Sequence, residues 1–372
     1  MQVWGIDSIR TCIAAMERKM VGWIRRSPAR WLWALLIVVG VGDTAVMAEN
    51  RSERADGTRQ VLSLRDNEVA EEWGLEWGIR AQSCGEWAAK VNRWQERMAR
   101  WRPGPRPDLA DLAYGSSRLE RFDVFLPRGK VYRDAAPIIV LVHGGGWCVG
   151  DKANNAVVSN KVARWQARGF MVVSVNYPMV NEGSDALAQA HHLARAVAAI
   201  QARVGQWGGD GSKLILMGHS AGAHLVSMLH ADAQIRRACG VAPLLGVVSL
   251  DAGALDVVLQ MGQVYPFLKV RYREAFGAGE EGWRQASPLH RLTGELSPWL
   301  GVCSTRRKDD PCGQARSYAA KSKGLGGRAE VLPLAMSHRA INEEVGLPGD
   351  YTAQVEAFMA GLDTVVAQRL RP

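Results

Sequence analysis

"LILMGHSAGAHL", residues 214–225, decides how the rest of the chain is read. Four apolar residues without polar alternation suit a strand buried on both faces, and "AGAHLVSMLHAD" beyond them has the apolar repeat of a helix. Between them Gly218, His219, Ser220, Ala221 and Gly222 spell G-x-S-x-G, the pattern of a sharp strand-to-helix turn that lifts one serine clear of a sheet. Such a turn strains the backbone at Ser220 and leaves no room for a side chain at Gly218 or Gly222. The helix that follows offers free N–H groups, that of Ala221 first. Ser220 is therefore the candidate nucleophile, against the plainer alternative of a tight turn. Neither His219, just before it, nor His224, one helical turn on, is placed to activate it. No carboxylate or cysteine joins the two histidines at ligand spacing, so a packing role is expected for both and no metal.

Working outward, short apolar runs alternate with helical patterns from about residue 118. The strands expected are Phe122–Leu126, Ile138–Val142, Phe170–Tyr177, 214–217, 246–250, 300–303 and 329–333. Helices are expected at about 154–168, 184–204, 221–232, 313–323 and 351–369. This rhythm predicts an α/β fold, a doubly wound, mostly parallel sheet with helices on both faces. In such sheets ligands bind outside the carboxyl ends of the strands, so the residues just past each strand are the ones to read for chemistry.

A second signal follows the strand at 138–142: "VHGGGWCVGD", with His143, Gly144, Gly145, Gly146 and Trp147. Three glycines in a row let bare backbone approach a substrate carbonyl. In acyl transfer the developing oxyanion needs two or three N–H donors, each worth about 3 kcal/mol of barrier; Gly145, Gly146 and Ala221 are the expected oxyanion-hole donors. This glycine stretch carries neither G-K-[ST] nor G-x-G-x-x-G, which argues against a phosphate loop here, and no organic cofactor is expected.

A serine nucleophile needs a base, and "AEVLPLAMSHRAINEEVG" places His338 shortly after a late strand. The other late histidine, His290 in "ASPLHRL", reads as a surface turn. An acid must hold that imidazole from the end of another strand. "LGVCSTRRKDDPC" supplies Asp310 or Asp309, and Asp310 is preferred because Asp-Pro turns the chain into the next helix; Asp251, directly after "GVVSL", is the third choice.

The order oxyanion loop, serine, acid, histidine now stands in sequence. From about Tyr114 to Leu370 the chain resembles α/β-hydrolase carboxylesterases of the hormone-sensitive-lipase-like group, particularly feruloyl-esterase-like (BD-FAE-type) bacterial members and the related kynurenine formamidases. The matching stretches are "YGSSRLERFDVFLP", "VHGGGWCVGDK", "VVSVNYPM", "MGHSAGAHL" and "LPLAMSHRAINEEVG", in order. The resemblance implies Ser220 as nucleophile, His338 as base, and Gly145, Gly146 and Ala221 as the oxyanion hole. It implies hydrolysis of small or medium acyl or aryl esters, with arylformamidase activity on N-formylkynurenine as the alternative and a catalytically silent hydrolase-fold binding protein as a third reading. The acid loop departs from the family's G-x-x-D spacing, with Ser304 where a glycine is usual, so Asp309 and Asp310 both stay in play.

Upstream of residue 114 the chain is different. Residues 1–48 have a basic, apolar, small-residue order: Arg25, Arg26 and Arg30, an apolar run from Trp31 to Gly42, then Val46 and Ala48 at a cleavage site. Export by a cleaved signal is expected, with translation from Met20 giving a better-formed signal and a membrane anchor as the alternative. Residues 49–113 are Arg- and Trp-rich, and Trp87, Trp94 and Trp101 recur every seven residues on one face of a helix expected at about 84–102. Docking of that stripe on the catalytic domain, residues 114–372, is expected; a membrane-surface helix or a lid is the alternative.

Composition agrees with a chain built mainly around a core, at 47% hydrophobic and 22% charged. The formal charge of +9 is spread without a basic run, so no nucleic-acid partner is expected. None of the six cysteines has C-x-x-C spacing, which excludes a zinc ribbon or thioredoxin-type site. In an exported protein the nearest pair, Cys303 and Cys312, is expected to form a disulfide.

Overall fold

The computed structural model describes residues 83–99, 104–130 and 132–371. The signal segment, Trp101 and the side chain of Trp94 lie outside the described residues. Eight strands form one sheet: β1 (Leu109–Ala113), β2 (Arg121–Phe125), β3 (Ala136–Val142), β4 (Met171–Val175), β5 (Gly209–His219), β6 (Gly246–Leu250), β7 (Trp299–Ser304) and β8 (Ala329–Leu334). Their spatial order is β1-β2-β4-β3-β5-β6-β7-β8. The β1–β2 and β2–β4 pairs are antiparallel and every later pair is parallel.

The unbroken apolar runs have the cause expected of them, since β3, β6 and β7 are buried along their whole length. Successive residues of β3 feed opposite cores: Ile138, Val140 and Val142 join one apolar cluster, Ile139 and Leu141 the other. Helices cover both faces. They include α1 (Cys84–Ala99), α2 (Asn155–Gln166), α3 (Ala186–Arg203), α4 (Ala221–Ala231), α5 (Val257–Gln263), α6 (Lys269–Phe276), α7 (Pro311–Gly324), α8 (His338–Glu344) and α9 (Asp350–Ala360). Among the described residues no helix is long and apolar enough to cross a membrane.

Several elements differ from expectation, among them α5 and α6, which lie where no helix is expected. Strand β1 lies in a segment in which no strand is expected: "LADLA" lacks β-branched residues and sits half-exposed at the sheet edge, where pairing to β2 decides its shape. Helix α8 is short and begins at His338 itself, capped by the Ser337 hydroxyl, which accepts from the Ala340 N–H. The long carboxyl-terminal helix is two, because α9 stops at Ala360 and Asp363 caps a second helix, Thr364–Leu370.

Helix α1 is fastened to the sheet by a Cys84–Cys148 disulfide that spans 64 residues and ends inside the glycine loop. Trp87, one turn in, is buried; its ring lies where a Cβ on Gly146 would come within 3.0 Å, and the Arg271 guanidinium stacks on it at 4.6 Å. Cys303 and Cys312 form a second disulfide, bridging the loop from β7 to α7.

Candidate active site

The parallel register aligns the carboxyl ends of the strands. Val142 pairs with Gly218, His219 with Leu250, Leu250 with Val302, and Ser304 with Leu334. The chain therefore leaves the sheet along one edge at His143, Ser220, Asp251 and Thr305, on strands about 4.8 Å apart.

Ser220 occupies the turn between β5 and α4 with φ 56° and ψ −116°. A non-glycine residue with positive φ is costly, and the surroundings hold it there: its N–H donates to the Leu250 carbonyl at 3.0 Å, and its carbonyl accepts from Gly253 at 3.1 Å. A Cβ on Gly218 would collide with the Gly222 backbone, and one on Gly222 with the carbonyls of Val142 and His143. The two glycines are thus required by backbone-to-backbone contact between β3, the turn and α4.

The glycine loop lies against the serine. A Cβ on Gly144 would stand 3.0 Å from the Cβ of Ser220. Gly145, Gly146 and Trp147 all have positive φ, at 116°, 55° and 62°, and the Gly145 carbonyl turns inward to accept from the N–H groups of Cys148 and Val149, both at 3.1 Å. Tyr177 holds the base of the loop, its hydroxyl donating to the His143 carbonyl at 2.8 Å while its ring stacks on the His143 imidazole.

His338 follows β8. Its Nδ1 donates to Asp251 Oδ2 at 2.5 Å, and Asp251 stands directly after β6, fully buried, with its Oδ1 accepting from the Ser304 N–H at 2.9 Å. Burial raises the Asp251 carboxyl, but the Arg307 guanidinium and the His338 hydrogen bond outweigh it and hold the group well below the usual carboxylate range. Burial, reinforced by Arg307, holds His338 below the ordinary histidine value despite the opposing pull of Asp251.

Neither aspartate expected in this place, Asp310 or Asp309, is the one whose carboxylate meets His338. Asp310 takes a left-handed conformation, φ 44°, so that its carboxylate caps α7 by accepting from the Gly313 N–H at 2.8 Å; its side chain is 63% exposed. Asp309 is buried with both oxygens engaged: Oδ1 by Arg307 Nε at 3.0 Å, Oδ2 by Arg307 Nη2 at 2.6 Å and by Gln260 Nε2 at 3.0 Å. The Asp-Pro pair does turn the chain into a helix, and that is the work its carboxylate performs.

The two conspicuous histidines have structural partners. His219 Nε2 donates to the His338 carbonyl at 2.9 Å with the two rings 4.4 Å apart, and burial depresses its basicity strongly. His224 donates from Nε2 to the Ala286 carbonyl at 2.8 Å and accepts the Trp147 indole N–H on Nδ1 at 3.2 Å; burial pulls its pKa down to about 4, so it is neutral. His290 pairs through Nε2 with Asp256 Oδ1 at 3.2 Å.

Two features escaped the sequence reading. Arg307 belongs to a charged run, "RRKDD", that looks like solvated loop; its place just past a strand end is the signal by which it could be found. The Cys84–Cys148 pair has no spacing signature at all.

Residues 122–241 match the BD-FAE family model. The BD-FAE match covers β2 through α4, hence the glycine loop and Ser220, and ends before Asp251, Arg307 and His338. Among curated relatives, a probable isoprenylcysteine alpha-carbonyl methylesterase of Arabidopsis thaliana is 24% identical over 242 residues, 59% of this chain and 48% of that protein. A kynurenine formamidase of Danio rerio is 30% identical over 121 residues, 32% of this chain and 38% of that protein. The chain spans about half or less of the length of these relatives. Among solved structures, esterase B from Lactobacillus rhamnosis superposes with a TM-score of 0.58 at 16% identity, covering 81% of this chain and 98% of that one. The fold is that of the α/β-hydrolases.

Proposed function

We propose that the protein is a serine carboxylesterase acting on small or medium acyl or aryl esters. The observation that carries this reading is the backbone of Ser220, held at φ 56° on a strand-to-helix turn beside the glycine loop. A fold has no need of such strain, and a nucleophile that must stand clear of the sheet does. The BD-FAE match and the methylesterase relative support it.

Ser220 Oγ attacks the substrate carbonyl. His338, with Nδ1–H committed to Asp251, has Nε2 as the base; it takes the serine proton and passes it to the leaving alcohol. Asp251 stabilises the imidazolium formed in between. N–H groups of Gly145, Gly146 and Ala221 stabilise the oxyanion, and water then hydrolyses the acyl-enzyme by the same proton relay. Export by the amino-terminal segment is part of this proposal, supported by two disulfides in one chain.

The test is fluorophosphonate labelling of the full chain alongside turnover of p-nitrophenyl acetate and N-formylkynurenine. The ester should be turned over and Ser220 labelled, and Ser220→Ala should lower kcat by a factor on the order of 10⁶. Faster turnover of N-formylkynurenine would assign the formamidase reaction, to which the zebrafish relative's name points. A folded protein with no Ser220 adduct would be a binding protein on a hydrolase fold.

A further inference from the structure

The loop from β7 to α7 buries a positive charge among negative ones. Arg307 and Asp309 have side chains 1% exposed and Asp251 is fully buried, so three ionised groups share a space closed to bulk solvent. Burying ions costs several kcal/mol each unless geometry and hydrogen bonds offset it, so an arrangement of this kind has to be well paired to persist. It is. The guanidinium turns its Nε and Nη2 edge to Asp309 as a fork, and its Nη1 reaches Asp251 Oδ2 at 3.0 Å, the Ala252 carbonyl at 3.2 Å and the Asp251 carbonyl at 3.4 Å. Arg307 Nη1 also stands 3.4 Å from His338 Nδ1, because both nitrogens donate to the same oxygen, Asp251 Oδ2.

We infer that Arg307 is a positioning residue for the proposed hydrolysis: it locks the Asp251 carboxylate toward His338, withholds Asp309 from the imidazole, and sets a positive charge beside the ring. The inference rests on the serine hydrolase reading above. Arg307 is placed by the fork to Asp309 and by the Cys303–Cys312 disulfide, which closes the loop around it.

The electrostatic direction follows from the groups that face His338. Asp251 after β6 favours the imidazolium, Asp309 favours it from farther off, and Arg307 opposes it. From β5, His219 is held neutral by burial; Lys161 of α2 acts on that same ring and is itself pulled down to about 7. Tyr272 of α6 and Tyr351 of α9 are pushed up by burial and stay uncharged at neutral pH. Arg307 is thus a full positive charge in contact with the pair, and its removal should raise the basicity of His338.

Two measurements on the full chain test this: the pH dependence of kcat/KM for p-nitrophenyl acetate, and the His338 titration followed by NMR in a Ser220→Ala background. In Arg307→Met the acid limb and the NMR midpoint should both move up by about one pH unit, with kcat/KM at neutral pH reduced. Arg307→Lys, which keeps the charge and loses the fork, should hold both midpoints near those of the parent while kcat falls. Arg307→Met with Asp309→Asn leaves no unpaired buried carboxylate there and should fold stably, with midpoints between the two. Unmoved midpoints in folded Arg307→Met would overturn the inference, as would equal shifts in Arg307→Lys. A parent that neither turns over ester nor labels at Ser220, yet shows the NMR shift on Arg307→Met, would remove the hydrolase reading and leave the electrostatic role standing.

Discussion

Asp251 and His338, 87 residues apart, meet at 2.5 Å because Asp251 directly follows β6 and His338 opens the helix a short turn beyond β8, at the same edge of the sheet with only β7 between the two strands. The carboxylate that the imidazole meets is therefore the one directly after a strand, while the two aspartates of the next loop serve Arg307 and a helix start.

Removing that carboxylate separates Asp251 from Asp310. Asp251→Asn should lower kcat by about 10⁴, because the imidazole loses both its tautomer preference and the stabilisation of its cation. Asp310→Asn, which changes an exposed helix cap, should leave kcat near the parent value. Steady-state kinetics on the two proteins decide it, and the opposite order would restore Asp310 as the acid.

The depressed basicity of His338 sets the acid side of the pH profile. Its neutral form is the active one, so kcat/KM should rise through a midpoint below 6.5, the ordinary histidine value, and be flat by neutral pH. A midpoint above 6.5 in the parent protein would contradict the buried environment seen for the ring.

The two disulfides close loops of different length, with sequence separations of 64 and 9. By loop entropy, replacing Cys84 and Cys148 with alanine should cost about 4 kcal/mol and replacing Cys303 and Cys312 about 2.5 kcal/mol. Urea unfolding of the two double variants measures this. The first should also raise KM, since Cys148 ties α1 to the glycine loop.

Lys161 is buried behind the His338 helix, donating to the Asn342 carbonyl at 2.6 Å, the Asn342 side chain at 3.0 Å and the Ala156 carbonyl at 3.0 Å. Burial lowers it to about 7, against 10.5 when exposed. Between those values the unfolded chain binds the extra proton, so this group makes stability rise with pH from about 7 to about 10. Urea midpoints across that range should rise less steeply in Lys161→Met than in the parent, and parallel curves would refute the assignment.

Much of the fold was legible because it is written locally. The buried strands are unbroken apolar runs, and the turn around Ser220 needs glycines at two fixed places, whose collisions with Val142, His143 and Gly222 show why. The glycine loop is equally local. Strand β1 and the division of the last helix were not legible, since edge pairing and a cap at Asp363 decide them against weak intrinsic preference.

The acid could not be chosen by inspection, because Asp251, Asp309 and Asp310 all follow strands in sequence. What separates them is three-dimensional. Arg307 occupies both oxygens of Asp309, a left-handed turn sends Asp310 to cap α7, and the parallel register leaves Asp251 facing His338. By itself the sequence determined the sheet, the serine turn and the glycine loop, where short-range sterics and periodic burial suffice. Only the tertiary structure decided which carboxylate meets the imidazole, since a buried charge goes where its partners are, and those partners come from other strands.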